Sequence, residues 1–206
     1  MDAIIKTIET YPIIPIYYHD DPGKCIEALE RSYLAGIRVF EFVNRGEKSQ
    51  ENFKKLIDYR NTYAKEMILG IGTIMSKVQA GAFIGLDADF LVSPVVLPEI
   101  AMVAEAHNKI WIPGAMTPTE IALGSNLGAK MIKIFPASVV GTSFLKGIKP
   151  LFPHLKFMVT GGIASEAEVI KNWLTAGASA VGLGEALLKQ LQNPEEFHKL
   201  ISQFIL

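Results

Sequence analysis

The sequence has a single cysteine, Cys25, so no disulfide can form within the chain and no thiolate metal cluster is available. That usage fits a reducing compartment, and the cytoplasm is the expected location. An excess of one charge sign is also missing. The formal net charge is −1, which gives no bulk attraction to nucleic acid or to an anionic membrane. Long apolar runs are lacking. The longest uncharged stretch, Asn172 to Gly184, is shorter than a bilayer span and carries three glycines. The segment from Met1 to Tyr18 contains Asp2, Lys6, Glu9 and two prolines, without the basic start and apolar core of a secretory signal. Neither a nucleic-acid nor a membrane partner is expected.

What is present is a chain of 206 residues, 50% hydrophobic and 20% charged, enough for one well-buried domain. Eight short apolar runs recur along it: Pro12–Tyr18, Ile37–Val43, Met67–Gly72, Asp89–Ser93, Ile110–Pro113, Lys130–Phe135, Lys156–Thr160 and Ala178–Leu183. Each is followed by a segment with helical spacing. Near-continuous apolar character marks parallel strands covered on both faces. Strict strand–helix alternation predicts α/β architecture, and eight short units predict a compact (β/α)₈ TIM barrel over residues 1–206. Pro15 sits inside the first run, where it removes a ladder donor.

Helix starts are written beside the strands. Asp21-Pro22 reads as an N-cap and first helical residue, and Thr117-Pro118-Thr119-Glu120 and Ser165-Glu166-Ala167-Glu168 read as capping boxes. Strand C-termini and helix N-termini therefore gather on one rim, the rim on which barrels carry their chemistry.

The sixth run, Lys130–Phe135, holds a lysine inside the apolar stretch from Met131 to Pro136. Alternation puts Lys133 on the face of Met131 and Phe135, with Ile132 and Ile134 on the other. If that face is the lumen, desolvation lowers the ammonium pKa from about 10.4 and favours the neutral amine that imine formation requires. The competing reading is a strand-end lysine that snorkels to water. In the second run, Glu41 shares a face with Ile37, Val39 and Val43, against Phe40 and Phe42. An inward Glu41 would enter the same lumen and shuttle protons through water. Equally, it would form a structural ion pair with Lys133. Arg45, just past the strand, suits bidentate capture of a carboxylate, or is an ordinary surface charge. Thr73 after Gly70-Ile71-Gly72, and Ser93-Pro94, offer hydroxyl or shape contacts to a small acid, or are turn residues.

Thr160-Gly161-Gly162-Ile163 follows the seventh run and Gly182-Leu183-Gly184 the eighth. Barrels often bind phosphate there through backbone N–H groups, although turns use the same glycines. Glu185 suits the first turn of a helix but would repel a phosphate if it faced that site.

Taken together and in order, these motifs resemble the 2-keto-3-deoxy-6-phosphogluconate aldolase family, including its 4-hydroxy-2-oxoglutarate aldolase activity. The likeness runs from about Tyr11 to Leu188. It rests on Gly36-Ile37-Arg38 through Glu41 and Arg45, Gly72-Thr73, Ser93-Pro94 and Pro113-Gly114 with Thr117 to Glu120. Lys133-Ile134-Phe135-Pro136 and Thr160-Gly161-Gly162-Ile163 complete it.

The resemblance implies a metal-free, cofactor-free class I aldolase acting on a small 2-keto acid, and a homotrimer. By similarity Lys133 forms the imine with pyruvate and Glu41 moves protons through water. Arg45 and Thr73 hold the pyruvate carboxylate, Pro94 and Phe135 shape the pocket, and Thr160 contacts the aldehyde portion. Gly161, Gly162 and Gly184 donate to phosphate. The expected reaction cleaves 2-keto-3-deoxy-6-phosphogluconate to pyruvate and glyceraldehyde 3-phosphate; 4-hydroxy-2-oxoglutarate or an unphosphorylated sugar acid is the alternative substrate.

This chain differs from the family pattern at Asn44, Val95, Val159 and Glu185, the last standing where the family commonly has a phosphate-contacting serine. Two other classes stay open on the residues alone. One is a metal-dependent sugar-phosphate epimerase, for which His19, His107, His154 and His198 lack close ligand spacing. The other is a sugar-phosphate binding barrel in which Lys133 only pairs with Glu41.

Overall fold

Each of the eight apolar runs forms a strand in the computed structural model, which describes residues 2–184, 187 and 193–205. The chain opens with α1 (Asp2–Thr10), then β1 (Ile13–Tyr17), α2 (Pro22–Leu34), β2 (Val39–Val43), α3 (Ser49–Tyr63) and β3 (Ile68–Gly72). It continues through α4 (Lys77–Gly85), β4 (Phe90–Ser93), α5 (Pro98–Ala106), β5 (Ile110–Ala115), α6 (Pro118–Asn126) and β6 (Met131–Ile134). Then come α7 (Ala137–Ile148), a 3₁₀ turn (Lys149–Leu151), β7 (Lys156–Thr160), α8 (Ala167–Ala176), β8 (Ala180–Leu183) and α9 (Pro194–Ile201). All neighbouring strands are parallel and β8 pairs with β1, so the sheet closes into an eight-stranded barrel.

Period-two alternation sorts the strand side chains into two cores. Inside the barrel, Ile14, Val39, Phe90, Val92, Ile110, Ile112, Met131, Met158 and Ala180 form one buried cluster. Ile5 and Ile8 of α1 join that cluster, so the first helix packs across the N-terminal mouth as a floor. The opposite strand faces, with Phe40, Phe42, Leu69, Leu91, Ile132, Ile134 and Phe157, pack against the helices. Ile37 belongs to this outer core, because β2 starts only at Val39 and the alternation does not reach back to it.

Pro15 is accommodated within β1. It pairs in register with Leu183 of β8, while pairing with β2 begins one residue later, at Ile16 with Glu41. The caps at Asp21 and Thr117 are as expected: Asp21 accepts from the Gly23 N–H, and Thr117 with Glu120 makes a reciprocal capping box. The third differs. Helix α8 starts at Ala167, with Glu166 rather than Ser165 at its N-cap and no side-chain cap from Glu166.

Candidate active site

Two opposed strands bring the key pair together. Lys133 on β6 and Glu41 on β2 both point into the lumen, with Lys133 Nζ 3.6 Å from Glu41 Oε1. Their side chains are 9% and 1% exposed, so neither is a snorkelling surface charge. The other Glu41 oxygen, Oε2, is buried without a hydrogen-bond partner among the described residues. Burial pushes the Glu41 carboxyl above its ordinary value, and the neighbouring Lys133 charge only partly offsets this. A buried carboxylate with an unused acceptor atom has capacity to bind a water or a reacting group.

Glycine makes the room for this pair. A Cβ at Gly72 would collide with Glu41 Oε1. On the other side, Gly114 is the in-register partner of Lys133, and a Cβ there would lie 2.5 Å from the Pro94 carbonyl oxygen. The β4–α5 turn thus leans over β5 and brings Pro94 to the rim beside Lys133. The Phe135 ring lies on the other flank, its centroid 5.3 Å from Lys133 Nζ. Thr160, 4% exposed, occupies the lumen face of β7 two residues above Met158, the in-register neighbour of Lys133.

The other expected residues sit on the C-terminal rim. Thr73 is half-buried just beyond β3 and holds φ at 60°, a left-handed conformation that a β-branched residue adopts only under constraint. Arg45 is exposed just past β2 and makes no ion pair among the described residues. Gly161 and Gly162 both have positive φ, 97° and 72°, and turn the chain away from β7. Gly184 is exposed at the end of β8. No hydrogen bond or ion pair joins Arg45 or Gly184 to Lys133 among the described residues; both are exposed on the rim, outside the buried lumen pair. Glu185 lies outside the described residues.

Of the two readings open for Ser93, hydroxyl contact or turn residue, the structure shows the turn residue. Its side chain faces the outer layer, donates to the Val95 carbonyl at 2.6 Å and accepts the Trp111 indole N–H at 2.8 Å. It pins the turn that carries Pro94. Sequence reasoning named Gly72 and Gly114 only within motifs and gave them no role; the signal for one was glycine recurring at inward positions of buried strands. Ser138, in the first turn of α7, was missed as well, and it packs on the Gly161–Gly162 turn.

With that geometry in place, the sequence model of the KDPG and KHG aldolases (2-keto-3-deoxy-6-phosphogluconate and 4-hydroxy-2-oxoglutarate aldolases) matches residues 1–202. The chain belongs to this family. This aldolase is accordingly a lyase. A 2-dehydro-3-deoxy-6-phosphogalactonate aldolase of Escherichia coli K12 is 24% identical over 195 residues, 94% of this chain and 93% of the relative. The KHG/KDPG aldolase of the same organism is 28% identical over 161 residues, 76% and 72% of the two chains. The 2-keto-3-deoxy-6-phosphogluconate aldolase of Zymomonas mobilis ZM4, solved with 3-phosphoglycerate, has the same fold. Its TM-score is 0.85 at 22% identity, covering 99% of this chain and 97% of that one. Among the described residues of this aldolase, no helix is long and apolar enough to cross a membrane. No group of three or more His, Cys, Asp and Glu side chains in that set could hold a metal ion.

Proposed function

We propose that this aldolase works through a Schiff base on Lys133 and cleaves a 2-keto-3-deoxy sugar acid, with 2-keto-3-deoxy-6-phosphogluconate giving pyruvate and glyceraldehyde 3-phosphate. The observation that carries this reading is the buried Lys133–Glu41 pair, 3.6 Å apart in the lumen of a chain matched by the family model from end to end of the barrel.

Neutral Lys133 attacks the C2 ketone, and the carbinolamine loses water to give a protonated imine. The C4 hydroxyl then surrenders its proton as the C3–C4 bond breaks. The bonding pair moves into the imine, leaving an enamine and a free aldehyde. Protonation at C3 and hydrolysis release pyruvate and regenerate the amine. Glu41 carries the proton in each step through a water on its unpartnered oxygen. Arg45 and Thr73 bind the carboxylate, Pro94 and Phe135 flank the three-carbon unit, and Thr160 meets the departing aldehyde. Gly161, Gly162 and Gly184 present N–H groups to a terminal phosphate.

The second reading, 4-hydroxy-2-oxoglutarate or an unphosphorylated acid, is favoured by Glu185, a carboxylate in the stretch that follows Gly184. We take residues 1–206 as one catalytic domain of a cytoplasmic homotrimer; light scattering at the mass of one or two chains would refute the trimer.

Pyruvate with borohydride tests the central claim. The expected product is protein reduced onto Lys133 alone, with no labelling in Lys133→Met. Label on another lysine, or none, overturns the assignment. Turnover of phosphorylated and unphosphorylated substrates by wild type and Glu185→Ser then separates the two substrate readings.

A further inference from the structure

The Gly161–Gly162 turn has a neighbour that the mechanism above does not use. Ser138 donates its backbone N–H to the Gly161 carbonyl at 3.0 Å. Its side chain lies flat against Gly162. A Cβ at that glycine would sit 2.7 Å from Ser138 Cβ and collide with Ser138 Oγ. The residue is exposed, and its hydroxyl makes no hydrogen bond among the described residues. Exposed serines commonly donate to water, but this one is held in place. Its backbone is tied to one glycine of the turn and its side chain rests on the next.

The location follows from the chain path. Phe135 flanks Lys133 Nζ at 5.3 Å. The same ring packs on Gly161, where an added Cβ would meet its Cδ2 and Cε2 at 3.0 Å. Lys133, Phe135, Gly161, Gly162 and Ser138 therefore form a continuous track from the lumen outward between β6 and β7. A substrate bonded to Lys133 through C2 and extended along this track would point its far end toward Ser138. Gly161 and Gly162, both at positive φ, add no side chain of their own beyond Thr160 on that flank.

We propose that Ser138 is a specificity-determining residue whose hydroxyl donates to an anionic terminus, phosphate or carboxylate, on the aldehyde half of the substrate. This rests on the Schiff-base reading of Lys133. A hydroxyl donor facing an oxyanion gives a charge-assisted hydrogen bond, and its loss lowers kcat/KM about tenfold or more.

The test compares wild type and Ser138→Ala on three 2-keto-3-deoxy acids that end in phosphate, in carboxylate or in a neutral hydroxymethyl group. The expected result is a fall of about tenfold in kcat/KM for the anionic substrate that this enzyme uses, against less than about twofold for the neutral one. Ser138→Thr, which keeps the hydroxyl, should restore most of the loss. The phosphate and carboxylate arms identify which anion is read. Equal loss on all three substrates, or no loss on any, overturns the proposal, as does a lowered melting temperature that accounts for the change. Solvent-deuterium exchange into pyruvate reports the lysine half-reaction separately. If wild type neither exchanges pyruvate nor traps on Lys133, the Schiff-base reading has failed rather than the role of Ser138.

Discussion

Glu41 combines near-complete burial, an unpartnered oxygen and a cation 3.6 Å away, and these pull its titration in opposite directions. Burial dominates and raises the carboxyl, so the folded protein keeps this proton at a pH where the unfolded chain has released it. The sign follows by linkage. From this group, stability is highest below the unfolded value of about 4.3 and declines as pH rises through the higher folded value. We expect the denaturant stability of wild type, relative to Glu41→Gln, to decline with rising pH across that window. A difference that stays flat with pH would mean the carboxyl titrates as an exposed one does. The same variant should lose about 10²–10⁴-fold in kcat if Glu41 is the proton carrier.

At this scale the sequence was partly readable. Alternation alone placed Lys133 with Met131 and Glu41 with Val39, because a strand admits only two faces. It did not give the distance between them, since β2 and β6 are separated by three strands on one side of the barrel and never pair. Nor did it show that Ser93 faces outward to Trp111, because a hydroxyl at a strand end reads the same on either face.

Among the elements, the strands were legible and the floor was not. Parallel strands buried on both sides leave unbroken apolar runs, and all eight appear within two residues of their expected bounds. Asp2–Thr10 mixes charged and apolar residues at low mean hydropathy, and its purpose emerges only against the open lower mouth of the lumen. Ile8 is fully buried there with Val39, Ile110 and Met131. Truncation leaves a cavity that rigid strands cannot collapse around, so Ile8→Ala should destabilise the fold by about 2–5 kcal/mol in urea or guanidinium unfolding. A change below about 0.5 kcal/mol would mean that α1 is only loosely docked. The α8 start was misplaced by one residue for a local reason: Ser165 and Glu166 both precede an apolar periodic segment, and cap residues alone do not choose between adjacent frames.

For the whole molecule, closure of the sheet turns weak local signals into one site. Glycines at 72 and 114 would weaken an open sheet, yet in the barrel they admit a carboxylate and a turn beside the lysine. Residues from β2, β4, β6 and β7 converge only because β8 returns to β1.

The helix laid across the lower opening has a kinetic corollary. It makes the lumen a cul-de-sac, so everything that enters or leaves the lysine passes through the upper mouth. On the Schiff-base chemistry the pyruvyl fragment is tethered at the blind end while the aldehyde stands nearer the exit. Departure is then sequential, aldehyde ahead of pyruvate. In cleavage assays pyruvate should inhibit competitively against the sugar acid and the aldehyde noncompetitively. Competitive patterns for both would mean that traffic past the lysine is not single file.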